Sequence, residues 1–292
     1  MRPFAWSTGR VRSIAGWVGL ALLFLGLSVA ALFPYDRLQA RLLTVAGQLT
    51  GTTIRAQEWE WAWPVGFRWR NASLTGPLSL DAAELEARPS LTALAAGKPG
   101  ARITASLRIP GAPSMGQGLL HLQLGGWSLE SAAHAVGSVD RVSLSALDPT
   151  LIRSGMLRVA FTHRWDKASD AGRMLQGEGT WEILLADATA DRLPLGPFTL
   201  APAALSVVKA RLTCAGGRCE FGDFLGESPE GTATGSGTLT PRLPIRDSLL
   251  DAAIDVVPSL SLVQKVGSPL VQAGVPIRLT LSGPVARLTV RL

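Results

Sequence analysis

Arg102-Ile103-Thr104-Ala105-Ser106-Leu107-Arg108-Ile109 decides the fold. Ile103, Ala105, Leu107 and Ile109 take every second position, and Arg102, Thr104, Ser106 and Arg108 take the others. Period two sends successive side chains to opposite faces of a strand, so this segment reads as half-buried β, apolar on one face and polar on the other. The same alternation recurs on both sides of it. Leu120, Leu122 and Leu124 alternate with His121 and Gln123, and Val142, Leu144 and Ala146 with Arg141, Ser143 and Ser145. Leu157, Val159 and Phe161 follow, then Trp181, Ile183 and Leu185, then Val208, Ala210 and Leu212. Ile277, Leu279 and Leu281 precede Leu288, Val290 and Leu292 at the end of the chain. Gly, Pro, Asp or Ser marks the breaks. The expected fold is mainly β, a long antiparallel sheet with a few short helices. Two brief helical breaks are expected, Leu147 to Arg153 after Asp148-Pro149, and Val257 to Ala273. Few helical stripes are left to cover the apolar face. The sheet must curl over on itself or present a greasy concave groove.

Moving toward the N-terminus, Leu78 and Leu80, then Leu85 and Ala87, read as a pair of short strands, with a helical turn from Ser90 to Ala96. Before them stands Glu58-Trp59-Glu60-Trp61-Ala62-Trp63-Pro64-Val65-Gly66-Phe67-Arg68-Trp69. On one strand Trp59, Trp61 and Trp63 share a face. Such a ladder suits sheet packing near a membrane, where the ring body is apolar and the indole N–H is wet. It also suits stacking on sugars or bases. Pro64-Val65-Gly66 turns the chain into a second strand from Phe67 to Leu74.

Residues 34–51 follow a helical period, with Leu38, Leu42, Val45 and Leu49 on one stripe and Gly51 as a stop. This amphipathic helix closes an end of the following domain or lies on lipid. Ile14 to Phe33 precedes it, twenty residues without a charge. At about 1.5 Å per residue it reaches roughly 30 Å, the hydrocarbon thickness of a bilayer. Ser28-Val29-Ala30 resembles a signal-peptide cleavage site, but the apolar run continues past it, which favours a retained anchor. The charges around the span lean toward a cytoplasmic N-terminus. The expected organisation is a cytoplasmic tail (1–13), a transmembrane helix (14–33), a juxtamembrane helix (34–51) and an exported β-rich domain (52–292).

The chain carries a formal charge of +6, with 47% hydrophobic and only 17% charged residues. Most of its cations are arginines scattered singly, which argues against nucleic acid. Cys214 and Cys219 flank Ala-Gly-Gly-Arg, the loop of a hairpin. Residues facing across such a loop lie near disulfide distance, so a Cys214–Cys219 bridge is expected, with free thiols as the alternative. A bridge would mean an oxidising compartment. A metal would need two further ligands, and His121, His134 and His163 are remote in sequence.

Catalytic motifs fall short. Gly177-Glu-Gly179 and Gly235-Ser-Gly237 lack the third glycine and the strand-to-helix setting of a dinucleotide loop. There is no phosphate-binding Gly-x-x-x-x-Gly-Lys and no nucleophile elbow. His163 and Asp166 read as ordinary surface, and Asn71-Ala72-Ser73 as a chance sequon. No enzyme activity, catalytic residue, cofactor or metal is expected.

The residues quoted above also carry a resemblance. Phe33-Pro34, a helix ending at Thr50-Gly51, Trp61-Ala-Trp63-Pro64-Val-Gly66 and Leu74-Thr-Gly76-Pro77-Leu78-Ser-Leu80 are similar to the bacterial type II secretion system protein N family. The Cys214/Cys219 hairpin, Phe221-Gly-Asp-Phe224-Leu-Gly-Glu227 and Gly235-Ser-Gly237-Thr-Leu239-Thr-Pro241 resemble its C-terminal half. The resemblance implies AsmA-like architecture, an inner-membrane helix carrying a periplasmic sheet curled into a groove. It implies an accessory or assembly component of type II secretion, touching inner-membrane lipid and other secretion components. The alternative is an AsmA-like envelope protein that binds or moves phospholipid in the groove. A third reading is an envelope enzyme or sugar-binding module built on Trp59, Trp61 and Trp63.

Overall fold

The computed structural model describes residues 34–50, 53–63, 65–75, 80–108, 115–127, 130–143, 152–167, 177–190, 193–195, 198–200, 203–242, 247–267 and 271–291, with six single positions before residue 34. The chain divides into two compact units, Met1–Leu42 and Leu43–Leu292. Most of Ile14 to Phe33 lies outside the described residues. Its described positions, Trp17, Leu20, Ala21, Phe24, Ser28 and Leu32, are helical. Of these, Trp17, Leu20, Phe24 and Leu32 expose their apolar side chains. Among the described residues no helix is long and apolar enough to cross a membrane. Helix α1 (Tyr35–Thr50) follows, as the helical period anticipates.

The second unit is built on one antiparallel sheet of 15 strands. Its N-terminal part holds β1 (Thr53–Arg55), β2 (Glu58–Trp61), β3 (Phe67–Thr75) and β4 (Leu80–Pro89). Both β1 and β2 pair with β3, end to end along one edge. The sheet continues in chain order through β5 (Gly100–Arg108), β6 (Met115–Leu124), β7 (Ala133–Ser143), β8 (Ile152–Trp165) and β9 (Glu178–Ala190). A separate hairpin, β10 (Leu193–Leu195) and β11 (Phe198–Leu200), interrupts it. The sheet resumes with β12 (Ala203–Ala215), β13 (Arg218–Ser228), β14 (Gly231–Thr240), β15 (Leu249–Pro258), β16 (Ile277–Pro284) and β17 (Thr289–Arg291). Helix α2 (Leu91–Ala95) joins β4 to β5, and α3 (Leu260–Val266) joins β15 to β16 and touches β11.

Several boundaries differ from the sequence expectation. Leu80 and Leu85 lie on one continuous strand, β4, instead of on two short ones, while Leu78 lies outside the described residues. Leu147 to residue 151 lies outside the described residues, but Ile152 and Arg153 already belong to β8, because they pair on toward Ala190. The helix expected from Val257 to Ala273 shrinks to α3. Val257 and Pro258 remain in register with Thr232 and Gly231 of β14. At the other end Gly267 adopts the left-handed conformation, φ 62°, that stops a helix. Strands β14 and β15 escaped the alternation. On β14 the inward positions are Gly235 and Gly237, where a Cβ would come 2.5 Å from the Ala253 and Asp251 carbonyl oxygens of β15. Close backbone packing replaces side-chain packing there, and the apolar signal vanishes with it.

The candidate apolar face

Register turns the alternation into continuous rows. One row takes a residue from every strand of the sheet but β1. It begins Trp61, Phe67, Ala87, Ile103, Leu120, Gly137 and Phe161. It continues Trp181, Leu212, Phe221, Gly237, Ala252, Leu281 and Val290. None of these side chains is polar at its base. At ~4.8 Å per strand step the row is roughly 60 Å long. A parallel row two residues away runs Trp59, Trp69, Leu85, Ala105, Gly118, Val139, Val159, Ile183 and Ala210. A third runs Ala101, Leu122, Ala135, His163, Gly179, Cys214, Cys219, Leu239 and Leu250.

The opposite face has the reverse chemistry. Offset by one residue, the row there reads Arg102, His121, Val136, Thr162, Thr180, Thr213, Glu220, Thr238, Asp251 and Ser282. Cross-strand ion pairs lace it. Arg68 meets Glu84 at 2.9 Å and Glu86 at 2.8 Å, and Arg211 meets Glu182 at 2.9 Å. Burial alone would raise the Glu86 carboxyl. Hydrogen bonds from Arg68 and Arg88 to the charged form outweigh it, so Glu86 is held below its ordinary value. A shallow cleft of about 580 Å³ opens near the irregular β12–β13 pairing, lined by Arg158, Lys209, Arg211 and Leu225 among others. Two of its cations are already paired, Arg211 with Glu182 and Arg158 with Asp140.

Among the described residues, the other sheet is only the two-stranded hairpin β10–β11. No sheet of matching size therefore lies over the apolar rows, and Leu120, Phe161, Trp181 and Ile183 remain half-buried. Among the described residues, two clusters of buried side chains lie along the rows. Ala133, Ala135 and Trp165 pack with Leu120, Leu122, Leu124 and Phe161. Leu212, Cys214 and Cys219 pack with Trp181, Ile183, Ala210, Phe221 and Leu239.

The expected site residues fall as follows. Cys214 and Cys219 face each other at the end of the β12–β13 hairpin and are joined by a disulfide. Trp59 and Trp61 lie on β2, but Trp63 lies beyond its end and is 81% exposed, so the ladder has two strand-borne members. The chain must bend at Ala62-Trp63 to bring Phe67 opposite Trp61, which takes Trp63 off the strand. The aromatic cluster instead recruits Phe67, whose ring centroid lies 5.8 Å from Trp59, 5.6 Å from Trp61 and 5.8 Å from buried Trp69.

His163 is not ordinary surface. It is 1% exposed, with its ring 4.6 Å from that of Trp165 and 6.1 Å from that of Trp181. The signal was available, because His163 continues the period of Leu157, Val159 and Phe161. The glycines opposite explain themselves. A Cβ on Gly179 would lie 2.3 Å from His163 Nδ1, and one on Gly177 would lie 2.9 Å from Nε2. Gly177-Glu-Gly179 makes room for an imidazole. Asp166 is exposed in the turn after β8. Among the described residues no three His, Cys, Asp or Glu side chains gather as metal ligands. Compared with known proteins, the chain matches no family model, no curated protein and no solved structure.

Proposed function

We propose that this chain is an inner-membrane-anchored envelope protein of AsmA-like architecture and an accessory or assembly component of type II secretion. One observation carries the architectural half of that reading, a single wide sheet whose apolar face lacks a second layer among the described residues. Curling that face inward gives the groove the architecture requires. The uncharged stretch from Ile14 to Phe33 supplies the anchor, and the disulfide agrees with an oxidising periplasm. The secretion half rests on the resembling motifs, several of which occupy structurally demanding positions: the aromatic β2–β3 turn, the cysteine hairpin and the glycines of β14. The test is export. Loss of the chain should strand normally exported enzymes in the periplasm while the outer membrane stays intact, and complementation should reverse it. Normal export in the deleted strain would remove the secretion role.

The apolar rows favour a second reading on the same architecture, that the face binds or moves phospholipid. An uninterrupted apolar track about 60 Å long suits acyl chains better than it suits a protein loop. Phospholipid that stays with the purified chain after detergent exchange, identified by mass spectrometry, supports this. Chain that is free of lipid in that measurement sinks it.

A further inference from the structure

We infer that the connections at the Trp63 end of β2–β7 form a rim that docks onto an anionic phospholipid bilayer surface. Three alternate connections emerge at that end: the β2–β3 turn, helix α2 between β4 and β5, and the β6–β7 loop. Each presents large apolar side chains to solvent. Trp63 is 81%, Leu91 69% and Trp127 77% exposed, and Val65 and Leu94 accompany them.

These residues are not displaced core. The positions beneath them are small and filled. Ala62 and Ala93 are buried, and a Cβ on Gly66 would meet the Ala87 carbonyl oxygen at 2.8 Å. One on Gly100 would meet the Ala93 methyl at the same distance. There is no room below the rim for a tryptophan or a leucine, so this local packing fixes them outward. Backbone hydrogen bonds hold the tips in place: Ala62 N–H donates to Gly66 O at 3.0 Å, Ser90 to Gly100 at 2.8 Å and Gly125 to Ala132 at 2.7 Å.

The spacing and charge indicate the occupant. Neighbouring tips are two strands apart, about 10 Å. A partner protein would need a separate pocket for each, whereas the bilayer interface accepts them all and favours tryptophan. Lys98 and Arg102 are exposed at the same end and complement anionic headgroups. Two acids at this end are already paired, Glu130 with Lys167 at 2.9 Å and Glu86 with Arg68 and Arg88. The docking needs neither a secretion role nor a lipid-filled groove.

The test uses the full chain reconstituted in vesicles of phosphatidylethanolamine and phosphatidylglycerol. Trp63→Cys, Leu91→Cys and Trp127→Cys are each labelled with an environment-sensitive dye, and Ser236→Cys, exposed on the polar face, serves as control. The native cysteines are bridged and do not compete for the label. Spin-labelled lipid should quench the three rim dyes at least twofold and leave the control unchanged. Replacing phosphatidylglycerol by phosphatidylcholine should reverse most of that quenching. Placing the quencher either in the host vesicles or in a second vesicle population reports which bilayer is touched. Absence of quenching in both placements overturns the proposal. So does equal quenching at Ser236→Cys, or rim dyes that report only copy-to-copy proximity.

Discussion

Single residues set how tightly the apolar rows close. Gly179 sits under His163 with no space for a methyl group. Gly179→Ala should therefore lose about 1–3 kcal/mol, read as a lower denaturant midpoint, because overpacking forces the imidazole or the backbone to move. Gly222 provides the contrast, since a Cβ there would meet nothing within 4 Å. Gly222→Ala should stay within about 0.5 kcal/mol of the parent. The Cys214–Cys219 bridge closes a short loop, with a sequence separation of 5. Loop-closure entropy alone gives about 2 kcal/mol, so the Cys214→Ala/Cys219→Ala double variant should be weakened by that amount. Glu86 adds a pH term. Its carboxyl is depressed in the folded chain, so its contribution is present above the unfolded glutamate value and is lost as pH falls through the folded one. Glu86→Gln should cost about 1 kcal/mol near neutrality and flatten the acid limb of the stability profile in urea titrations.

Elements show what the sequence disclosed and what it hid. Strands with side chains on both faces, such as β5, β8 and β9, were legible because alternation reports burial directly. The cysteine hairpin was legible because its turn residues and its bridge share one short segment. Strand β14 was hidden because glycine leaves no apolar mark, and Trp63 was misplaced because a pattern of alternate tryptophans does not show where a strand ends. His163 was missed by reading it, with Asp166, as ordinary surface when its own period placed it in the core. The helical break expected from Val257 to Ala273 failed at its first residues, where cross-strand pairing to β14 outweighs local helix preference. What remains, α3, depends on its ends. Ser259 Oγ accepts from Leu262 N–H at 3.4 Å and donates to Pro229 O at 2.9 Å, and Lys265 reaches buried Glu230 at 2.6 Å. Ser259→Ala should cost about 1 kcal/mol. The helix is only 7 residues long, so amide exchange should quicken along all of it while β15 keeps its protection.

For the molecule as a whole, one face of a wide sheet has to be kept from water, and among the described residues there is no second sheet of its own size. Two solutions differ in a measurable way. If the face is sealed against itself, a charge placed in one of the apolar rows becomes a buried, unpaired ion and costs several kcal/mol, so the chain should fail to fold. If the face holds lipid chains, the same charge sits at an accessible wall and displaces them while the strands persist. Val159 is the position to use. It is half-buried in the second row and pairs with Val139 on one side and Ile183 on the other. Thr162, exposed on the opposite face, is the control. We expect Val159→Arg to keep the far-ultraviolet circular dichroism of a β protein and to retain about tenfold less co-purifying phospholipid, equivalent to about 1.4 kcal/mol of binding. Thr162→Arg should retain the parent amount. Aggregation of Val159→Arg with normal behaviour of Thr162→Arg would instead mean a sealed face. The apolar rows would then be a core, and any lipid handling would have to occur elsewhere on the molecule.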